Sequence, residues 1–297
     1  MNVGDRLQRF LFEHLPVRGH LVRLDASWRA AIEHHEYPDP VCRRLGEAMA
    51  ASALMAGALK FEGRLSLQME GQGPVRLMLV QCTHRHAIRG VARHDELPPG
   101  VEDVAALFGD GRLAVTIEQD DAPERYQGVV PLAQPGLAAC LEQYFEQSEQ
   151  LPSRFVLAAT PERAAGLLLQ RVAVGGTGAA ESEADDAWQR ITLLAATLSA
   201  RELLDVPSAD LLRRLFNQDD LRLFEAMPVY FQCSCSRERV AGILQALGRG
   251  EVDALLVERG DVEVRCEFCN RAWIFDPVDI AGLFSGSDRQ QAPPGLH

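Results

Sequence analysis

Lysine is almost absent from this 297-residue chain; Lys60 is the only one among 30 basic residues. That bias reflects coding-sequence composition before it reflects function. Positive charge is short overall, since 42 acidic residues leave a formal net charge of −12. Affinity for phosphates comes largely from Lys and Arg, so this balance disfavours nucleic acid as a main partner and favours solubility. Long apolar runs are missing too: none approaches the roughly 18 residues of a membrane span. The stretch Met1 to Phe12 carries Asp5, Arg6 and Arg9 among its apolar positions and lacks the apolar middle of a signal peptide. The expected location is therefore the cytoplasm, with no membrane partner. No Gly-x-x-x-x-Gly-Lys phosphate loop occurs. Seven cysteines in such a chain argue against a structural disulfide framework and for metal or redox work.

The apolar pattern predicts an α+β protein: an N-terminal mixed domain with a largely antiparallel sheet, a helical linker and a small C-terminal module. Val41 to Leu59 is rich in Ala and Leu at near-helical spacing and reads as a buried helix. Leu65-x-Leu67-x-Met69, the turn Gly71-Gln72-Gly73-Pro74, and Val75-x-Leu77-x-Leu79 form a hairpin pattern. Leu113 to Ile117 and Tyr126 to Val130 read as strands, Leu137 to Phe145 as a helix, and Arg154 to Ala159 and Leu167 to Val174 as late strands. Gly175-Gly176-Thr177-Gly178 and the acidic run after it suggest a hinge. The expected divisions are a core domain over 1–178, a helical linker over 179–228, a module over 229–285 and a disordered tail over 286–297.

In the linker, Trp188, Ile191, Ala195 and Leu198 share one helical face, and Leu211, Leu212, Leu215 and Phe216 form a second short stripe. Asp219-Asp220 suggests the start of a third helix through Phe224. Helices this short are marginal alone in water, so each must dock its apolar face. The stripe reads as core, or as a surface for partner proteins if the docking can be undone.

The strongest signal is Cys233-Ser234-Cys235, thirty residues, then Cys266-Glu267-Phe268-Cys269. Two tight pairs at this spacing match tetrathiolate zinc, one ion held by Cys233, Cys235, Cys266 and Cys269. Four buried reduced cysteines, or a metal-free thiol pair, are the bland alternatives. Four thiolates leave no open coordination position, which disfavours metal hydrolysis and an enzyme. A module of 229–285 is small for self-sufficient stability. Structural zinc contributes about 10–16 kcal/mol, against about 5–15 kcal/mol for a whole domain, so loss of the metal should unfold it. The same thiolates are oxidisable. Arg237, Arg239, Arg265 and Arg271 lie near the ligands in sequence and could offset their charge, or could be ordinary solvated arginines.

These residues resemble the heat shock protein 33 family of redox-regulated holdase chaperones. Phe231-Gln-Cys-Ser-Cys-Ser-Arg-Glu-Arg239 and Val264-Arg-Cys-Glu-Phe-Cys269 match its two cysteine motifs. Leu45-Gly-Glu47, Leu59-Lys-Phe-Glu-Gly63, Gly71-Gln-Gly-Pro74 and Tyr144-Phe-Glu-Gln-Ser-Glu-Gln150 are similar to the family as well. The resemblance implies an inactive, reduced, zinc-bound monomer. It implies that oxidation releases zinc, forms Cys233–Cys235 and Cys266–Cys269 disulfides, unfolds the module and loosens the linker. The active form would hold unfolding client proteins without ATP and tend to dimerise. Linker residues Trp188, Ile191, Leu198, Leu211, Leu215 and Phe216 become candidates for client contact.

Weaker signals compete with this reading. Cys82, His84 and His86 alternate, and a strand would place them on one face as a possible metal site. His94-Asp95-Glu96 with Cys266-x-x-Cys269 resembles two halves of a zinc deaminase signature, but Arg265 stands where proline is required. Cys42 and Cys140 read as packing cysteines in helices. A zinc ribbon binding nucleic acid or a protein, and a thiol-disulfide oxidoreductase built on Cys266-x-x-Cys269, are the remaining alternatives. The latter lacks a thioredoxin-like βαβ context.

Overall fold

The computed structural model describes residues 5–121, 125–173 and 179–285. The expected hinge at Gly175–Gly178 and the tail 286–297 lie outside the described residues. The chain divides into two compact units, Met1–Gln232 and Cys233–His297.

The first unit opens with two strands, β1 (Arg6–Phe12) and β2 (Val17–Leu24), then α1 (Ala26–Ile32) and the long α2 (Asp39–Ala58). Three strands follow, β3 (Gly63–Glu70), β4 (Val75–Thr83) and β5 (Ala87–His94), then α3 (Val104–Phe108), β6 (Arg112–Gln119) and β7 (Arg125–Pro131). α4 (Leu137–Tyr144) runs into a π-helical turn, Phe145–Glu149, before β8 (Ser153–Ala159) and β9 (Ala164–Arg171). Three helices, α5 (Ala179–Ala196), α6 (Ala200–Asp205) and α7 (Ser208–Leu215), precede three very short strands, β10 (Leu221–Leu223), β11 (Met227–Pro228) and β12 (Tyr230–Phe231).

Two sheets result. One runs β10-β1-β2-β9-β8, with β11 also on β1; the other runs β12-β5-β4-β3-β6-β7. Every pairing is antiparallel except β12 with β5. The fold is thus α+β with antiparallel sheets, as the strand patterning indicated. α2 touches strands of both sheets, which explains why it is apolar nearly all round rather than on one stripe. Small residues let the sheets close on it: a Cβ at Gly46 would lie 2.5 Å from the Ala159 methyl.

The opposite face of the first sheet carries the linker helices. Ile191, Ala195, Leu203, Leu211, Leu212 and Phe216 are buried against Phe10, Phe12, Leu21, Leu167 and Leu169. Trp188, Leu198 and Leu215 pack on the rim of this cluster, half-buried. Residues 187–216 therefore belong to the first unit's packing. The helix expected from Asp219 through Phe224 does not form; Leu221–Leu223 is strand β10. Leu221 and Leu223 have strand spacing, and the free edge of β1 supplies the main-chain partners that a single isolated turn of helix lacks.

The second unit holds α8 (Arg237–Leu247), α9 (Arg249–Arg259), a hairpin of β13 (Val262–Arg265) and β14 (Ala272–Phe275), and α10 (Pro277–Phe284). Its core is small: Val240, Leu244, Val252, Val262, Phe275, Ile280 and Phe284 are the buried apolar residues.

Candidate metal centre

Two turns carry the four sulfurs. Cys233 and Cys235 lie just before α8, whose N-cap Ser236 accepts from the Arg239 backbone N–H at 3.3 Å. The Arg239 guanidinium donates back to the Ser234 carbonyl at 2.9 Å and to its hydroxyl at 2.7 Å. The Cys-x-Cys turn is thereby tied to the first turn of α8. Cys266 and Cys269 sit in the loop joining β13 to β14. Cys266 donates its N–H to the Arg271 carbonyl at 3.0 Å, and Asn270 donates to the Cys266 carbonyl at 2.7 Å. Asn270 adopts φ 51°, the left-handed region that asparagine tolerates better than most side chains.

Arg237 joins the two halves. From α8 it donates to the Ile274 carbonyl at 2.8 Å and to Asp279 at 2.6 Å, with its guanidinium 4.3 Å from the Phe275 ring centre. Asp279 also completes a capping box with Asp276 at the start of α10. Arg265 pairs with Glu263, and Arg271 stacks over Trp273. The four arginines near the ligands thus engage carboxylates, carbonyls, a hydroxyl and rings.

The Sγ atoms of Cys233 and Cys266 are 3.5 Å apart, as are those of Cys235 and Cys269. All four sulfurs lie within 4.8 Å of one another. A disulfide would require about 2.05 Å, and all seven cysteines are free thiols. Tetrahedral zinc with bonds of about 2.3 Å would place its sulfurs about 3.8 Å apart, so spacing and donor set both fit a tetrathiolate ion. Burial opposes ionisation of Cys233, but the Cys235 backbone N–H and neighbouring thiols outweigh it and hold its pKa below the usual thiol range. At Cys235 and Cys269 burial comes first and the pKa is raised. A cation at the centre would favour all four thiolates.

Among the described residues this is the one cluster of His, Cys, Asp and Glu close enough to hold a metal. Cys82, His84 and His86 do not assemble, because β4 ends at Thr83 and the chain turns. Cys82 faces the core, where burial pushes its thiol up to about 12; His84 accepts from the Gly63 N–H at 2.9 Å. His94, Asp95 and Glu96 belong to the first unit and form no metal cluster of their own among the described residues. Cys42 and Cys140 are buried in α2 and α4, and burial first raises both pKa values, to about 11 for Cys42. Thiols held protonated in this way are poor nucleophiles.

Two polar residues of the first unit had no signal in the sequence. Asp5 accepts from the backbone N–H groups of Asp25, Ala26 and Ser27 at 2.7, 3.0 and 2.6 Å, and from the Ser27 hydroxyl. His20 is 1 % exposed, inside β2.

A family model described as Hsp33 protein matches residues 5–276. The 33 kDa chaperonin of Nitrosococcus oceani is 46 % identical over 286 residues, covering 96 % of each chain. That of Ectopseudomonas mendocina is 44 % identical, covering 99 % of this chain and all of its own. The crystal structure of the 33 kDa chaperonin (heat shock protein 33 homolog) from Thermotoga maritima is similar with a TM-score of 0.83 and 25 % identity, over 96 % of this chain and 99 % of that one.

Proposed function

This chain belongs to the Hsp33 family, and on that premise we propose that it is a redox-regulated, ATP-independent holdase of the cytoplasm. Its relatives are named for chaperone activity, and the proposed activity is binding without turnover. The observation that carries the switch is the convergence of four thiols in a unit whose core, among the described residues, has seven buried apolar side chains.

Bound to Cys233, Cys235, Cys266 and Cys269, one zinc ion would supply a cross-link between the Cys-x-Cys turn and the β13–β14 loop. Hydrogen peroxide oxidises the thiols in two steps. One thiolate attacks the peroxide and becomes a sulfenic acid as water leaves; the neighbouring thiol then displaces a second water and forms the disulfide. Two such events consume two peroxides and pair Cys233 with Cys235 and Cys266 with Cys269. Disulfide sulfurs are no longer thiolates, so the two turns lose their common anchor. The second unit unfolds, the linker helices loosen, and apolar surface becomes available to unfolding clients. The resting protein is a monomer and the oxidised one tends to a homodimer. Cys233 also lies 3.5 Å from Cys266, and Cys235 3.5 Å from Cys269, so peptide mapping by mass spectrometry should distinguish neighbour pairing from pairing across the two turns.

Reduced, zinc-loaded protein should leave aggregation of a heat-unfolded client unchanged. After peroxide at elevated temperature it should release about one equivalent of zinc and suppress that aggregation with no nucleotide present. Oxidised, zinc-free protein that leaves aggregation unchanged refutes the function.

A further inference from the structure

Under the holdase reading, one chemical question follows: what on the first unit takes hold of an unfolded chain. A free strand edge is a row of main-chain donors and acceptors that another strand can join. β1 pairs along one side with β2, from Arg6↔Arg23 to Leu11↔Arg18. Among the described residues, its other side is covered by the strap Asp220–Val229. Phe10↔Leu223, Leu11↔Arg222 and Phe12↔Leu221 pair at one end, Arg6↔Pro228 and Leu7↔Met227 at the other. Glu13 donates to the Asp220 carbonyl at 2.9 Å, Phe224 to the Arg9 carbonyl at 3.0 Å and Val229 to the Asp5 carbonyl at 3.0 Å. Between the two strands the ladder breaks, and the Gln8 side chain donates to the Phe224 carbonyl at 2.6 Å.

The strap is a modest occupant. Its strands are three and two residues long. Yet its side chains mark seats: Leu221 packs into one apolar cluster, Met227 into the other, and Val229 is buried. β12 covers part of the outer edge of β5, and side chains close two other edge positions. Tyr37 accepts from the Ala92 N–H at 3.1 Å, and Glu142 from the Phe155 N–H at 2.8 Å. The edge of β1 is closed by main chain that can leave. Past the strap, β12 pairs with β5 over two residues before the chain enters Cys233, so that short pairing is what holds the strap's far end.

We infer that the outer edge of β1, Arg6–Phe12, is the client-binding site: the strap fills it in the resting protein, and an extended, apolar-alternating segment of unfolded polypeptide replaces the strap in the active one. The register makes the donors explicit. Because Arg9 and Glu13 bond the strap, odd-numbered β1 residues aim their main chain at it and even-numbered ones at β2.

Hydrogen exchange on the full chain tests this, with a heat-unfolded client. The amides of Leu7, Leu11 and Glu13 should be protected when reduced, exchange after oxidation, and regain protection on client capture. Client capture without regained protection places the site elsewhere and overturns the inference while sparing the holdase function. Amides that stay protected after oxidation, or that regain protection when oxidised protein is merely concentrated, also overturn it; the latter assigns the edge to a second copy. Failure to capture client under any condition defeats both. Independently, Arg9→Pro removes one outward N–H while keeping the β2 ladder, and oxidised protein should bind client about fivefold more weakly than Arg9→Ala. Zinc release should be the same in both. Equal affinity in folded variants overturns the inference, and the exchange result on the unaltered chain stands whether or not the proline variant folds.

Discussion

His20 lies in β2 in surroundings that on balance resist its charge. Burial comes first, Arg18 and Arg9 add repulsion, the Gly57 backbone favours the charged form, and His86 again opposes it; the result is a pKa lowered to about 4. The unfolded chain takes up this proton near pH 6.5 and the folded one only near 4. Stability is therefore complete above about pH 6.5 and falls as pH drops toward 4, by about 3 kcal/mol from this residue. Denaturant titrations at pH 7 and pH 4.5 should show that loss, and His20→Leu should remove most of it. His86, also lowered by burial and then His84, acts in the same direction and sets the residual. A variant as acid-sensitive as the parent would show that the proton goes elsewhere. The cysteine cluster was legible in the sequence because its chemistry resides in residue type and short spacing. His20 and Asp5 were not, because their roles depend on partners brought close by folding. Asp5 looked only like a charge breaking an apolar N-terminus, yet it holds three main-chain donors at the entry to α1.

At the scale of elements, helical periodicity located α2 and α5 because long elements repeat their pattern several times. β10 was misread as helix because three residues carry no period and the deciding partner, β1, is about 210 residues away in sequence. The helices α5–α7 dock by a few buried side chains on the sheet face carrying Phe10 and Phe12. Ile191 is wholly buried there, so Ile191→Asp places an uncompensated charge in the core and should cost about 3–5 kcal/mol locally. The expected consequence is early proteolysis around Ala196–Ser199 and client binding by reduced, zinc-bound protein. Trp188→Glu, at the half-buried rim, should do the same to a smaller degree. If both variants stay protease-resistant and silent when reduced, the docked helices are not what keeps the resting protein inactive.

For the whole molecule, the two units differ in what holds them. The first wraps two sheets around α2 and has two apolar clusters of its own; the second has one small cluster and the four thiols. Cooperative unfolding needs shared stabilising contacts, and a domain below about 60 residues rarely supplies enough from its core alone. Removing the metal under reducing conditions, with a chelator stronger than four thiolates, should therefore unfold residues 233–285 and leave the first unit's sheets intact. Circular dichroism should lose helix signal equivalent to α8, α9 and α10, while exchange protection persists in β3, β4 and β9. Cys266→Ser should reach the same state without chelator, with zinc content far below one equivalent. It should do so without any disulfide, which separates metal loss from oxidation as the cause of unfolding. A metal-free, reduced second unit that resists protease as well as the loaded one would mean its seven-residue core suffices, and the thiols would then report oxidants without controlling the fold.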